Sequence, residues 1–267
     1  MKLIVKNCSS PGASFTDNTN YVILSCYEWV LAYPNEVKPF VNFRKEVSKA
    51  KNFNDNNARN IYPLLKNCGF INYERGSSIK YKDFFTNVGL AYCKALDAIK
   101  KISNDETYSK YQKQEAINKL KSINQKIIYN GMIKLLKIPD SNYREAFLTF
   151  MKCFLEFEKM NKYEFAYMLH EMEGQSTDII TSMRDNILAY RNGEQDFEVE
   201  VDVRNDNDTR AKSNQDRRQE GIGFLTAFSF FTALLTQAGL IVKQKDYHIL
   251  QTSKINAMEK IIEEASL

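Results

Sequence analysis

Glycine and proline are scarce in this chain, ten and five among 267 residues, well under average usage. Few turns are therefore available, a turn-rich architecture is excluded, and long helices should dominate. The five cysteines, Cys8, Cys26, Cys68, Cys93 and Cys153, include no CxxC pair. An odd number of scattered thiols excludes a full disulfide frame, fits reduced cysteines in a cytosol, and gives zinc no ligand spacing. Charge of one sign is also lacking: 37 Lys and Arg face 33 acids, a net +4, too little to attract polyanions over the whole surface. Any nucleic-acid surface must be a local patch. No apolar run nears the ~18 residues of a membrane span, and the start, MKLIVKNCSSPG, is too short for a signal sequence. The expectation is a soluble, cytoplasmic protein without a membrane partner. Only two histidines occur, His170 and His248. Neither has a serine, cysteine or second histidine at a spacing that assembles a nucleophile, so both are expected to be structural or exposed.

What is present is apolar periodicity. With 43% hydrophobic residues the chain can bury one full core or two small ones. Residues 21–33 (YVILSCYEWVLAY) are apolar at helical spacing, and Pro34 and Pro39 stop that helix. A charged helix is expected over 41–50. Asn54 or Asp55 should cap a helix over 56–68, with Ile61, Leu64, Leu65 and Cys68 on its core face and Gly69 as its left-handed terminator. Phe70, Ile71 and Tyr73, a turn at 75–78, then Ile79, Tyr81 and Phe84 alternate as a small hairpin. A helix over 87–101 closes this unit.

The middle is helical almost throughout, with segments expected over 122–136, 143–158 and 176–190, and a cap in Asn161-Lys162-Tyr163-Glu164 with its acid at the third helical position. After a polar segment over 202–216, GFLTAFSFFTALLTQAG reads as a helix whose phenylalanines serve the core. GLIVKQKDYHILQ follows as a hairpin turning near Lys245 and Asp246, and residues 253–265 form a closing helix. Both ends thus repeat helix, "CGFI" or "AGLI", hairpin, helix. That order matches a winged helix-turn-helix, a variant of the groove-reading motif. The expected fold is mostly α with small β-hairpins: tandem winged helix-turn-helix units at 1–102 and 202–267, joined by a helical middle at 103–201 that is itself a candidate winged-helix variant.

The stretch from Asn57-Ala58-Arg59 to Gly69-Phe70, the middle helices with NKYEFAYML and DIITSMRDNILAYRNG, and the end with AGLIVKQKDYHIL together resemble the DNA-recognition region of AlwI-type type IIS restriction and nicking endonucleases. The resemblance spans residues 42–265. It implies binding to duplex DNA, with cleavage by a separate nuclease domain or subunit that this chain is expected to lack. It also implies no cofactor here, Mg2+ being expected for that nuclease. The nearest acidic cluster, DFEVEVD with Asp196, Glu198, Glu200 and Asp202, alternates as a strand but lacks the lysine of a D…ExK site. A solvated strand edge is expected there rather than converging metal ligands.

The recognition candidates follow from base-edge chemistry. Asparagine matches adenine N6 and N7, arginine matches guanine O6 and N7, and both read best from the first turns of a helix. Asn54, Asn56, Asn57, Arg59 and Asn60 are placed there, and the helix N-terminus should add backbone N–H groups for a phosphate. The first wing offers Arg75, Ser77 and Lys80, with Lys82 close by, for backbone phosphates. Arg210, Lys212, Arg217 and Arg218 precede the last long helix as a segment that orders on phosphate contact, and Lys243, Lys245 and Tyr247 form the second wing. Each group also has a plainer reading, as a helix cap, a solvated turn or a polar linker. Two other functions remain open: a plasmid replication initiator or transcription regulator with two winged helices, and an enzyme whose site the sequence does not reveal.

Overall fold

The structure, a computed structural model, describes residues 1–5, 8–74, 76–174, 178–201 and 222–267, without the side chains of Asn57, Val201, Ile222 and Gly223. Helices account for 65% of it, with small sheets, so the chain is mostly α. Among the described residues no helix is long and apolar enough to cross a membrane. The chain forms two compact units: an insert unit, Gly12–Leu135, and a flanking unit made of Met1–Pro11 with Leu136–Leu267. The boundary expected at residue 102 lies inside a helix, α5 below, and the one expected after 201 adjoins undescribed residues.

The flanking unit begins with β1 (Lys2–Val5). The insert unit then runs α1 (Asp17–Ala32), β2 (Val37–Pro39), α2 (Phe40–Ala50), α3 (Asp55–Ala58), α4 (Ile61–Asn67), β3 (Ser78–Lys80), α5 (Asn87–Asn104) and α6 (Lys110–Leu136). The Thr16 hydroxyl accepts the Thr19 N–H at the start of α1, and Pro34 ends it. The core of the unit is aromatic: Phe43 packs on Tyr81 and Phe84 at 4.8 and 4.7 Å between ring centres, and Phe40 meets Tyr62 edge-on at 5.2 Å. Gly89 in α5 lies so close to the chain at Phe70 that a Cβ would fall 1.9 Å from the Phe70 carbonyl oxygen. Glycine is therefore required there. The Thr86 hydroxyl caps α5 through the Gly89 N–H at 3.0 Å and donates to the Gly69 oxygen at 2.7 Å.

Two local expectations are corrected here. The helix expected over 56–68 is divided into α3 and α4, with Arg59 and Asn60 between them. Pro63 is the cause: it has no N–H for the Arg59 carbonyl and its ring crowds that group, whereas within the first turn of a new helix it is tolerated. The expected face is nonetheless core, since Ile61, Leu64, Leu65 and Cys68 are all buried, and Gly69 has a φ of +75°. The first hairpin also differs. Residues 70–73 form no ladder with β3; they meet the chain further on, by an Ile71–Phe85 bridge and an Asn72 N–H to Phe84 oxygen bond. Lys80 leads straight into a single 3-10 turn, Tyr81–Asp83, which ends the alternation. The partner of β3 is β2, antiparallel, with Lys38 opposite Ile79.

After α6 the flanking unit continues as α7 (Arg144–Phe157), β4 (Lys159–Met160), α8 (Lys162–Glu173), α9 (Ile179–Arg191), β5 (Glu198–Val201), α10 (Ile222–Gln237), β6 (Ile241–Gln244), β7 (Tyr247–Leu250) and α11 (Ile255–Ser266). The expected cap is present: Asn161 Oδ1 accepts from the Tyr163 and Glu164 N–H groups while Glu164 accepts from the Asn161 N–H. β4, β7 and β6 form an antiparallel sheet in that order, and the hairpin turns at Lys245 and Asp246 as expected, Lys245 taking a φ of +54°. The acidic stretch does form a strand: β5 pairs in parallel with β1, Leu3 opposite Val199. Lys2 and Glu200 are ion-paired on its exposed side at 2.5 Å. In the core Phe147 and Phe231 stack at 4.2 Å, almost parallel, and Phe150 packs on Phe154 and Phe165, each at 4.9 Å. Phe224, Phe228 and Phe231 of α10 are therefore core residues, and Phe230 is half-buried.

Candidate nucleic-acid interface

In the insert unit the amide cluster spans the start of α3 and its junction with α4. Asn54 is its cap: Oδ1 accepts the Asn56 N–H at 2.9 Å. Asp55 is committed elsewhere, 2.7 Å from Arg44 Nε. Asn56, Arg59 and Asn60 are exposed. Arg59 and Asn60 keep right-handed helical dihedrals, so the three side chains, at i, i+3 and i+4, share one side of the chain. Asn60 makes no side-chain cap. Of Asn57 only the backbone is described. The expectation of a phosphate at the helix N-terminus weakens, because segments of four and seven residues align too few peptide dipoles to act as one long helix.

The residues around β3 line an open groove of about 490 Å3 that includes Lys66, Tyr73, Glu74, Ser77, Lys80 and Asp83. Ser77 is used locally, its hydroxyl donating to the Glu74 oxygen at 2.8 Å. Lys80 and Lys82 are exposed, and Arg75 lies outside the described residues. Lys66 sits 5.3 Å over the Tyr73 ring, which stacks on Phe40 at 4.1 Å. Among the described residues two lysines face two acids in this groove, so their charges cancel.

The flanking unit brings Lys243, Lys245 and Tyr247 together on the β6–β7 hairpin, and they line a cavity of about 590 Å3 with Asn161, Lys162, Tyr163, Tyr190, Phe228, Asp246 and His248. Three lysines against one aspartate give it a net +2. Lys159 lies 4.7 Å over the Tyr247 ring and Arg191 5.9 Å from its centre, which fixes the ring at the cavity edge. Arg191 is itself anchored. Nε reaches Glu164 at 2.6 Å, and other nitrogens donate to the Phe157 and Lys159 carbonyls at 3.1 and 2.5 Å. Burial pushes the Glu164 carboxyl above the usual carboxylate range, and the Arg191 guanidinium pulls it back. His248 rests edge-on against Phe228 at 5.4 Å. Burial, aided by Lys243, holds its imidazole below the usual histidine value, so it is neutral at physiological pH. Sequence reasoning found the hairpin but missed the Tyr163 and Tyr190 walls, although the NKYE cap marks where the first of them enters. Arg210, Lys212, Arg217 and Arg218 lie outside the described residues.

Among the described residues no three His, Cys, Asp or Glu side chains gather to hold a metal ion. All five cysteines are free thiols, and burial pushes Cys26 and Cys68 up to about 12, which leaves them protonated and poor nucleophiles. His170 only meets the Ile4 carbonyl oxygen, 2.9 Å from Nδ1. Compared with protein-family models, with curated proteins and with solved structures, the chain has no significant match.

Proposed function

We propose that this chain binds duplex DNA in a sequence-specific manner through two winged-helix units, as the recognition part of a type IIS-like restriction or nicking endonuclease. Cleavage, with its Mg2+, then belongs to a separate nuclease domain or subunit. The observation that carries the reading is a repeated strand arrangement. In each unit a very short strand between two helices, β2 or β4, pairs with the later strand of the wing region, β3 or β7. A helix or helix pair precedes the wing in both. On this reading the sheet holds the wing beside the helix that enters the major groove.

In this reading Asn54, Asn56, Asn57, Arg59 and Asn60 meet base edges or nearby phosphates. Arg75, Ser77 and Lys80 on one wing, and Lys243, Lys245 and Tyr247 on the other, meet the backbone. Arg210, Lys212, Arg217 and Arg218 supply further phosphate contacts from their own segment. Selection of the full chain against random duplex DNA, with and without Arg59→Ala, tests it. A short asymmetric site that Arg59→Ala degrades is the expected result, and no enriched site would overturn the reading. Affinity should also fall by about 0.9 log unit per log unit of salt for each phosphate neutralised.

The doubling of the arrangement in one chain equally favours a replication initiator or regulator that reads repeated half-sites. A palindromic or iterated site in the same selection distinguishes that function from an endonuclease module.

A further inference from the structure

The cavity at the second wing has more aromatic wall than phosphate contact requires. Tyr163, Tyr190 and Tyr247 line it, and Phe228, only 9% exposed, joins them with His248. Two of these rings are held by neighbours: Tyr190 stacks on Phe197 at 4.5 Å and 8°, and Tyr247 lies under the Lys159 ammonium. Rings fixed in this way lose little side-chain freedom when a flat ligand stacks on them. His248 adds an unmet requirement, since its Nδ1 is buried without a hydrogen-bond partner, a deficit that a ligand's polar edge would relieve. Lys162, Lys243 and Lys245 are exposed and outnumber Asp246. A planar heterocycle with an attached phosphate satisfies all three features. An acidic peptide would use only the lysines.

We propose that this cavity binds an unpaired nucleotide of a single-stranded or locally opened nucleic acid, its base stacked on the tyrosine walls and its phosphate held by Lys243 and Lys245. Its volume, about 590 Å3, falls in the range of small-ligand sites. Successive bases on aromatic platforms beside a basic rim are the general means of holding single strands without reading their sequence. This goes beyond duplex recognition, and it does not need the amide cluster of the insert unit to read bases.

The test uses the full chain, a fluorescent single-stranded oligothymidylate, and a blunt duplex of equal length measured separately. Single-strand binding is expected, and Tyr163→Ala should weaken it by roughly tenfold, while Tyr163→Phe, which keeps the ring, should restore it. Lys243→Gln should lower the salt dependence. An oligonucleotide carrying 2-aminopurine should lose fluorescence on binding, the signature of stacking, and regain it with Tyr163→Ala. Absence of single-strand binding, binding unchanged by Tyr163→Ala, or equal displacement by polyglutamate would overturn the proposal. Failure of the blunt duplex alone speaks against duplex recognition and leaves this site standing.

Discussion

The helices that precede β3 and the β6–β7 hairpin have opposite surfaces. In the insert unit, α3 and α4 lead in with exposed Asn56, Arg59 and Asn60 and bury only the far face. In the flanking unit, α10 buries Phe224, Phe228, Phe231, Leu234 and Leu235, and its exposed positions among the described side chains are Thr226, Ser229 and Thr236. Arginine and asparagine forks distinguish bases, whereas two threonines and a serine carry little base information. The cavities reverse the contrast: the described charges of the groove at β3 cancel, whereas the cavity at the β6–β7 hairpin is cationic and aromatic. On the proposed reading, base contacts fall to the insert unit and backbone or unpaired-base contacts to the other, one arrangement of elements serving two tasks.

The comparison breaks most easily at Arg191. Its pairing with the fully buried Glu164 has no counterpart among the described ion pairs of the insert unit. Arg191→Leu should cost about 3–5 kcal/mol by stranding a buried carboxylate, read as lost hydrogen-exchange protection in α8, α9 and the β4–β7 edge. Glu164 already lies above its ordinary value because of burial, and losing the guanidinium raises it further. The unfolded state then holds fewer protons than the native state over that window, so the variant's deficit should be largest at neutral pH and shrink on acidification. Protection lost equally in the insert unit would break the contrast.

Next comes Gly89→Ala, which pushes a methyl into the Phe70 carbonyl and should cost about 1–3 kcal/mol or more of insert-unit stability in denaturant titration. Arg59→Ala should remove about 1–3 kcal/mol of discrimination at one base pair, while Ser229→Ala on α10 should stay within about 0.5 kcal/mol. Equal effects in a binding titration would erase the distinction between the two segments. Asn54→Ala removes a single exposed cap and should cost about 1 kcal/mol of thermal stability. The smallest effect is at His248, whose ordinary value of 6.5 is lowered. The native state holds fewer protons there, so its contribution is present above the usual histidine range and lost as pH falls through the lowered value. His248→Gln should flatten that part of the stability curve.

How much of this was legible depended on distance along the chain. The second hairpin was readable because its strands adjoin, with Gly239 and the turn at Lys245 and Asp246 marking both ends, and the Asn161 cap was readable because its partners lie within three residues. The pairing of β3 was not: its partner is VKP, three residues that themselves end on a proline, with no alternation to detect. The break at Arg59 and Asn60 was legible in principle, since Pro63 is in the sequence, but the apolar period runs through it unbroken. The second cavity draws on α8, α9, α10 and the β6–β7 hairpin, and no single window contains its walls. Nor does any local pattern announce that β1 belongs with β5.

That last pairing sets an order of events. The Met1 ammonium donates to the Asp196 carbonyl, a contact across 195 residues, and the whole insert unit lies between the partners in the chain. During synthesis β1 leaves the ribosome long before β5 exists, with Leu3 and Val5, which end fully buried, still uncovered. Once Leu135 has been made the insert unit has its complete sequence and can fold first, whereas the flanking unit must leave β1 unpaired until β5 has been synthesised. Long-range closure of this kind is slow, so the apolar side chains of β1 stay uncovered through most of translation, a segment for a chaperone to shield.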